Sequence, residues 1–167
     1  MPMHSKRIFL KVALLLLALA LSAGSSWSAP SKIFPQNGKD LYDVLYSLKS
    51  GTPVDLAYAV LGKPDIAEGN VLTWFSNETN EVFTIVSKDT IEASSYFKYS
   101  DSRATVKDTY DYLRSSVVSI LGKPSHELSD FTIWFPDALE LILLKDESSK
   151  EGLFVGILLK APFVVID

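Results

Sequence analysis

Residues 51–64 read Gly-Thr-Pro-Val-Asp-Leu-Ala-Tyr-Ala-Val-Leu-Gly-Lys-Pro. Thr52 is suited to cap a helix, and Pro53 has a fixed φ that suits the first helical position. Gly62 can end the helix in a left-handed conformation without steric cost, and Pro64 prevents the helix from resuming. The stretch therefore predicts a short helix that begins after Thr52 and ends at Gly62.

The same helix-ending string occurs twice. Leu61-Gly62-Lys63-Pro64 is repeated as Leu121-Gly122-Lys123-Pro124, and Trp74-Phe75 is repeated as Trp134-Phe135. Both pairs are separated by about sixty residues, and repetition at a fixed period is a sign of duplicated structure. The pattern predicts two related units, one at residues 37–99 and one at residues 100–167.

Hydrophobic spacing predicts the elements within each unit. Leu41, Val44, Leu45 and Leu48 follow the one-face spacing of a first helix. The second unit carries a single long stripe from Val106 to Ile120, which favours one helix in place of two. Runs rich in β-branched and aromatic residues predict strands at 71–75, 81–86, 91–99, 131–135, 139–145 and 153–160. The fold class is thus α+β, with two tandem helix-helix-strand-strand-strand units whose helices pack on one face of antiparallel sheet.

The amino terminus has the order of a secretory signal. Lys6, Arg7 and Lys11 precede an apolar run from Val12 to Leu21, and small residues follow. The run is shorter than the roughly 20 residues of a membrane-spanning helix. We expect a signal peptide at residues 1–28, a linker at 29–36 and a periplasmic or secreted product without a permanent membrane anchor. An uncleaved anchor is the alternative, because Trp27 could lie at a membrane interface.

Charge and cysteine content limit the partners. Without residues 1–28 the chain has 13 basic and 20 acidic side chains, a formal net charge of −7, and it has no cysteine. This balance disfavours nucleic acid, whose binding needs concentrated positive charge. The fold must be held by core packing, since no disulfide can form.

The stretch from Gly51 to Pro64, followed by Trp74, resembles the SmpA/OmlA or BamE-like outer-membrane lipoproteins. It is also similar to the β-lactamase inhibitor protein, which looks like two such units in tandem. The resemblance implies a sheet face that grips a protein partner and no catalysis. This chain lacks the lipidated cysteine of the lipoproteins and the cysteines expected of the inhibitor, so neither activity is carried over.

No constellation of residues indicates an enzyme. Ser125, His126 and Asp130 contain the residue types of a catalytic triad, but neighbours in sequence rarely point at one another and no nucleophile elbow is present. One histidine and no thiol beyond residue 28 make no metal site of the usual kind. We therefore predict no catalytic residue, no metal and no cofactor.

Strand alternation suggests an aromatic surface. In the strand near residue 133, Phe131, Ile133 and Phe135 share one face, and Trp134 lies on the other. If the fully apolar set faces the helices, Trp74, Tyr96 and Trp134 lie on the exposed face, where such side chains are typical of protein interfaces. The alternative is that both tryptophans fill the seam between the two units.

These observations favour a non-enzymatic module of the cell envelope that binds a protein partner through an aromatic sheet face. One alternative is an inhibitor of a secreted or periplasmic hydrolase. Another is a small-ligand binder or enzyme with a pocket at the junction of the units.

Overall fold

The computed structural model describes residues 38–148 and 153–162. These residues form an α+β fold in which helices pack on a sheet, as predicted. The predicted signal at residues 1–28 and linker at 29–36 lie outside the described residues. No helix in the described ranges is both long and apolar enough to cross a membrane.

Three helices and eight strands follow one another along the chain. The helices are α1 (Gly38–Ser47), α2 (Val54–Leu61) and α3 (Arg103–Leu121). The strands are β1 (Ile66–Glu68), β2 (Val71–Ser76), β3 (Glu81–Ser87), β4 (Ile91–Ser100), β5 (His126–Glu127), β6 (Phe131–Trp134), β7 (Glu140–Asp146) and β8 (Leu153–Lys160), with a 3-10 turn at Pro136–Ala138 between β6 and β7. The six predicted strands are confirmed to within a residue, whereas the short strands β1 and β5 were not predicted.

The strands form a single antiparallel sheet in the order β1-β2-β3-β4-β8-β7-β6-β5. Successive strands pair as hairpins on each side, and the two sides join where β4 pairs with β8, with Tyr96 opposite Ile157. Strands β1 and β5, only three and two residues long, are the outermost strands. Short outermost strands offer few free backbone groups to a neighbouring chain.

The helices cover one face of this sheet. Helix α1 buries Leu41 and Leu45, and Leu48 is buried just beyond the end of the helix. The spacing of these leucines places them on one side of the helix. Helix α3 runs unbroken for 19 residues, as its single stripe predicts. Ser102 begins α3 by accepting a hydrogen bond from the backbone N–H of Thr105 at 3.4 Å.

The start of α2 differs from the prediction. The residue that precedes the helix is Pro53 rather than Thr52, and no side chain caps it. Thr52 is instead held by the sheet, because its carbonyl accepts a hydrogen bond from the N–H of Ile91 at 2.8 Å. Gly51 donates to the carbonyl of Ile91 at 2.8 Å, so this connection lies along the start of β4.

Gly62 and Gly122 end α2 and α3 with nearly the same backbone. Their φ values are 78° and 77°, so the predicted positive φ is confirmed. Their ψ values of −162° and −156° correct the predicted left-handed cap. These angles lie in an extended region with positive φ that essentially only glycine adopts. The requirement for glycine is therefore stricter than a left-handed cap would impose.

Gly62→Ala and Gly122→Ala should each destabilise the fold by about 1–3 kcal/mol. No atom lies within 4 Å of a Cβ placed at either glycine, so the cost is conformational and not steric. Gly62→Asn should give no rescue, although asparagine tolerates the left-handed region. Chemical denaturation measures these changes, with exposed Lys123→Ala as the neutral control. Recovery of stability in Gly62→Asn would contradict the extended geometry.

Candidate functional site

The three aromatic side chains predicted at the surface are buried. Trp74, Tyr96 and Trp134 have exposed fractions of 0%, 5% and 2%. All three belong to the core between the sheet and the helices, together with residues of α1 and α3. The predicted exposure is therefore wrong, and these rings offer no surface to a partner in this structure.

Each tryptophan is fixed by a hydrogen bond to the end of a helix. The indole Nε1–H of Trp74 donates to the carbonyl of Gly62 at 3.1 Å, and that of Trp134 donates to the carbonyl of Gly122 at 3.1 Å. A buried indole N–H needs such a partner, because an unpaired donor in the core costs free energy. The carbonyl of the helix-ending glycine thereby allows the ring to be fully buried. We name each of these pairs a Trp–Gly contact.

The tryptophans do not fill a seam between the two sides of the sheet either. Trp74 lies on β2 and Trp134 on β6, whereas the two sides join at β4 and β8. Phe83 is directly opposite Trp74 on β3, and Leu141 is directly opposite Trp134 on β7.

The buried hydroxyl of Tyr96 has a different kind of hydrogen-bond partner. Its hydroxyl donates to Oε1 of Glu81 at 2.7 Å, and Lys98 lies 3.4 Å from the same oxygen. The hydroxyl of Thr79 donates to Oε2 of Glu81 at 2.6 Å. Burial, followed by the charge and hydrogen bond of Glu81, raises the pKa of Tyr96 far above its usual range, so the phenol stays protonated. This cluster stabilises the end of the sheet and leaves no free nucleophile there.

On the strands of Trp74 and Trp134, strand alternation sorted the residues into two sets correctly, but the sets face the opposite way from the prediction. The set of Leu72 and Trp74 lies under the helices. Ile133, from the set expected beneath the helices, is buried outside that core, and Phe135 is 49% exposed.

The opposite side of the sheet carries a second apolar surface, which we name the helix-free face because α1, α2 and α3 all pack on the other side. Two rows of directly paired residues cross it. One row is Phe75, Val82, Phe97, Gly156, Leu144 and Phe131, and the other is Thr73, Thr84, Ser95, Leu158, Ile142 and Ile133. Of the aromatic residues in these rows, Phe131 belongs to the set that the sequence analysis placed beneath the helices. The alternation that defines the rows was visible in the sequence, but the side on which the helices pack was not.

Aromatic packing organises the centre of the helix-free face. The ring of Phe97 lies over Gly156, where an added Cβ would come within 2.4 Å of the ring. Phe154 meets Phe97 edge to face with 5.7 Å between ring centroids, and Tyr99 lies 6.0 Å from Phe154. Burial raises the pKa of Tyr99 well above its usual range. The centre is therefore a closely packed aromatic cluster, in which Phe97 and Phe154 are themselves buried.

The outer parts of the helix-free face are partly exposed. Val82 on β3, Leu144 on β7 and Leu158 on β8 are each intermediate in exposure, in contrast with the fully buried residues that alternate with them. One end of the face carries an ion pair between Lys160 and Glu140. The helix-free face is therefore accessible only in part, since Phe97 and Ile133 on the same face are buried.

The residue types of a triad do not converge. His126 is exposed on β5, and its ring lies edge-on to Phe135 with 6.2 Å between centroids. The backbone N–H of Ser125 donates to the carbonyl of Ile133, which fixes Ser125 in the strand pairing rather than beside a base. Within residues 38–148 and 153–162, no three His, Cys, Asp or Glu side chains are grouped so as to hold a metal ion.

Comparison with known proteins gives little further information. No family model matches the chain, and no curated protein matches it. Among solved structures, a DUF4309 family protein, YjgB from Bacillus subtilis, is similar with a TM-score of 0.48 and 14% sequence identity. The match covers 80% of this chain and 98% of that one. The resemblance to the BamE-like proteins and to the β-lactamase inhibitor protein stays a prediction.

Trp74→Ala and Trp134→Ala should each lower the free energy of unfolding by about 3–5 kcal/mol, because each removes a fully enclosed ring and its hydrogen bond. Phe135→Ala is the matched control, since it adjoins Trp134 but is 49% exposed. It should change stability by no more than about 0.5 kcal/mol. Equal losses in thermal melting for Trp134→Ala and Phe135→Ala would refute this assignment of core and surface.

Proposed function

We propose that the protein is a non-enzymatic, exported module that binds a protein partner through the helix-free face. The observation that carries the proposal is a sheet face on which no described helix packs, crossed by one apolar row from Phe75 to Phe131 and by a second row that is apolar from Leu158 to Ile133. Large accessible apolar surfaces on soluble proteins are typical of binding sites.

The rigidity of the face supports binding. Backbone pairing fixes the positions of the rows, and Phe97, Phe154 and Gly156 interlock at their centre. A preorganised surface loses little conformational entropy on association, which favours affinity. The partly exposed Val82, Leu144 and Leu158 surround this centre and supply apolar contact area.

Charge indicates the kind of partner. The described residues contain 18 acidic and 11 basic side chains, a formal net charge of −7. Complementary charge accelerates association and orients the complex. The partner is therefore a protein whose apolar patch is bordered by Lys and Arg, and nucleic acid is a poor candidate.

We further infer that the fold arose by duplication and that residues 37–99 and 100–167 are related units. Several features recur about sixty residues apart in support of this inference. They are the glycine angles at 62 and 122, the two Trp–Gly contacts, and the hydrogen bonds from Asp65 N to Thr73 O and from Ser125 N to Ile133 O, both 2.9 Å. The mirrored strand order β1-β2-β3-β4 and β5-β6-β7-β8 supports it too.

Export through a signal at residues 1–28 belongs to the same proposal and rests on the amino-terminal sequence. An inhibitor of a secreted or periplasmic hydrolase is the more specific form of the proposal, because inhibition also needs a rigid protein-binding face. A small-ligand binder or enzyme is the alternative from another class.

Site-specific photocrosslinking tests the proposed face. A photoreactive phenylalanine analogue at position 82 or 144 should crosslink one discrete protein from envelope extract, because both positions lie on the helix-free face. The same analogue at Asp108 or Ser115, both exposed on α3, is the matched control and should give no such product. Crosslinks from α3 alone, or from neither surface, would contradict the proposal.

The charge expectation is tested in the same experiment. The yield from position 82 should fall as ionic strength rises, because salt screens attraction between an acidic protein and a basic partner. A yield independent of salt would argue against a basic partner while leaving the location of the face intact.

A further inference from the structure

Helix α2 is unusually apolar for its position. Its eight residues include one charged side chain, Asp55, yet the helix contributes only Ala57 and Leu61 to the buried core. Leu56 is 39% exposed and Tyr58 is 42% exposed. A helix that is apolar on most sides is normally buried. The outer side of α2 is therefore more exposed than its apolar composition would suggest.

The packing of residues 38–148 and 153–162 does not require this apolar surface. At 3.6 residues per turn, Leu56 and Ala59 lie on the side of α2 away from Ala57 and Leu61. The last part of α3 precedes the same Leu-Gly-Lys-Pro string, and the positions sixty residues further on are Ser116 and Ser119. Ser119 is exposed, like Ala59. A helix that ends in this string can therefore carry serine where α2 carries leucine and alanine.

We propose that α2 forms a symmetric interface with α2 of a second copy of this chain. In an antiparallel pair of helices centred on Ala59, the small side chain lets the two backbones approach closely, and Leu56 of each copy packs beside the other helix. The patch is self-complementary, as a two-fold interface requires.

The charges at the ends of α2 favour a second copy of this chain as its partner. Exposed Asp55 lies in the first turn of α2, and exposed Lys63 lies two residues beyond its last residue, so the two ends of the helix carry opposite charges. Antiparallel pairing brings the Asp55 end of each copy to the Lys63 end of the other, so opposite charges meet at both ends. Parallel pairing would place like charges together. The arrangement offsets, at this surface, the repulsion between two acidic chains.

The interface involves one short helix per copy and is therefore small. Small interfaces of this kind support reversible association and not an obligate dimer. It lies on the helical side of the sheet, so the dimer leaves the helix-free face open, and the inference does not depend on the proposed function.

Sedimentation velocity of the chain from Ala29 to Asp167, over a concentration series, tests the inference. The parent should show a reversible monomer–dimer equilibrium. Ala59→Glu should leave a monomer at every concentration, because it places two carboxylates at the centre of the interface. Ser119→Glu, at the corresponding exposed position of α3, should keep the dimer. A parent that is monomeric throughout, or a dimer that survives Ala59→Glu, overturns the proposal.

A charge exchange separates the two-fold model from non-specific association. Lys63→Asp should weaken the dimer about tenfold, since it replaces two exposed ion pairs by two repulsions. Asp55→Lys combined with Lys63→Asp should restore it, because the exchanged charges again meet as opposites. Circular dichroism confirms that both variants are folded. Failure of the double variant to recover association, with its fold intact, would rule out the antiparallel arrangement.

Discussion

The Trp–Gly contact is the constraint on which the rest of the fold depends. A helix must stop, its last carbonyls need partners, and the chain must turn back into the sheet beneath it. Gly62 and Gly122 meet these demands with angles that other residues avoid, and each directs its carbonyl at the indole of a tryptophan twelve residues later. The helix end, the second strand and the largest core side chain are thereby fixed together on each side of the sheet.

Local sequence was sufficient to predict what depends on neighbouring residues. The strands near Trp74 and Trp134, the unbroken helix α3 and the positive φ of both glycines all follow from periodicity and turn chemistry. Strands β1 and β5 were not predicted, because segments of three and two residues are too short to show an alternating pattern.

Which face of the sheet the helices cover could not be predicted in the same way, because contacts between distant parts of the chain decide it. The tryptophans were expected on the exposed face because the alternating set of Phe131, Ile133 and Phe135 is fully apolar. Their own set could be buried because the polar N–H of each indole donates to a glycine carbonyl twelve residues away. The pairing of β3 with β4 shifts register between Val86 and Ser87. As a result, Ile91 lies in the core beneath the helices, whereas Phe97 lies on the helix-free face.

This reversal changes which residues are available for binding but keeps the sheet face as the candidate surface. The tryptophans hold the helices, and phenylalanines with aliphatic neighbours occupy the opposite face. Since the sheet is continuous from β1 to β5, that face extends across all eight strands without a break at the β4–β8 junction. The helical side is left with the outer surface of α2, so the two surfaces can engage different molecules at once.

The most direct test of the account is hydrogen exchange of the two indole N–H groups. A chain that starts at Ala29 contains only Trp74 and Trp134, so nitrogen-15 labelling of tryptophan gives two indole signals. We predict that both exchange slowly, together with the core amides, because each indole N–H is buried and bound to a glycine carbonyl. Exchange of either signal at the rate of a free indole would show that the ring is exposed and would contradict the Trp–Gly contact as the basis of the fold.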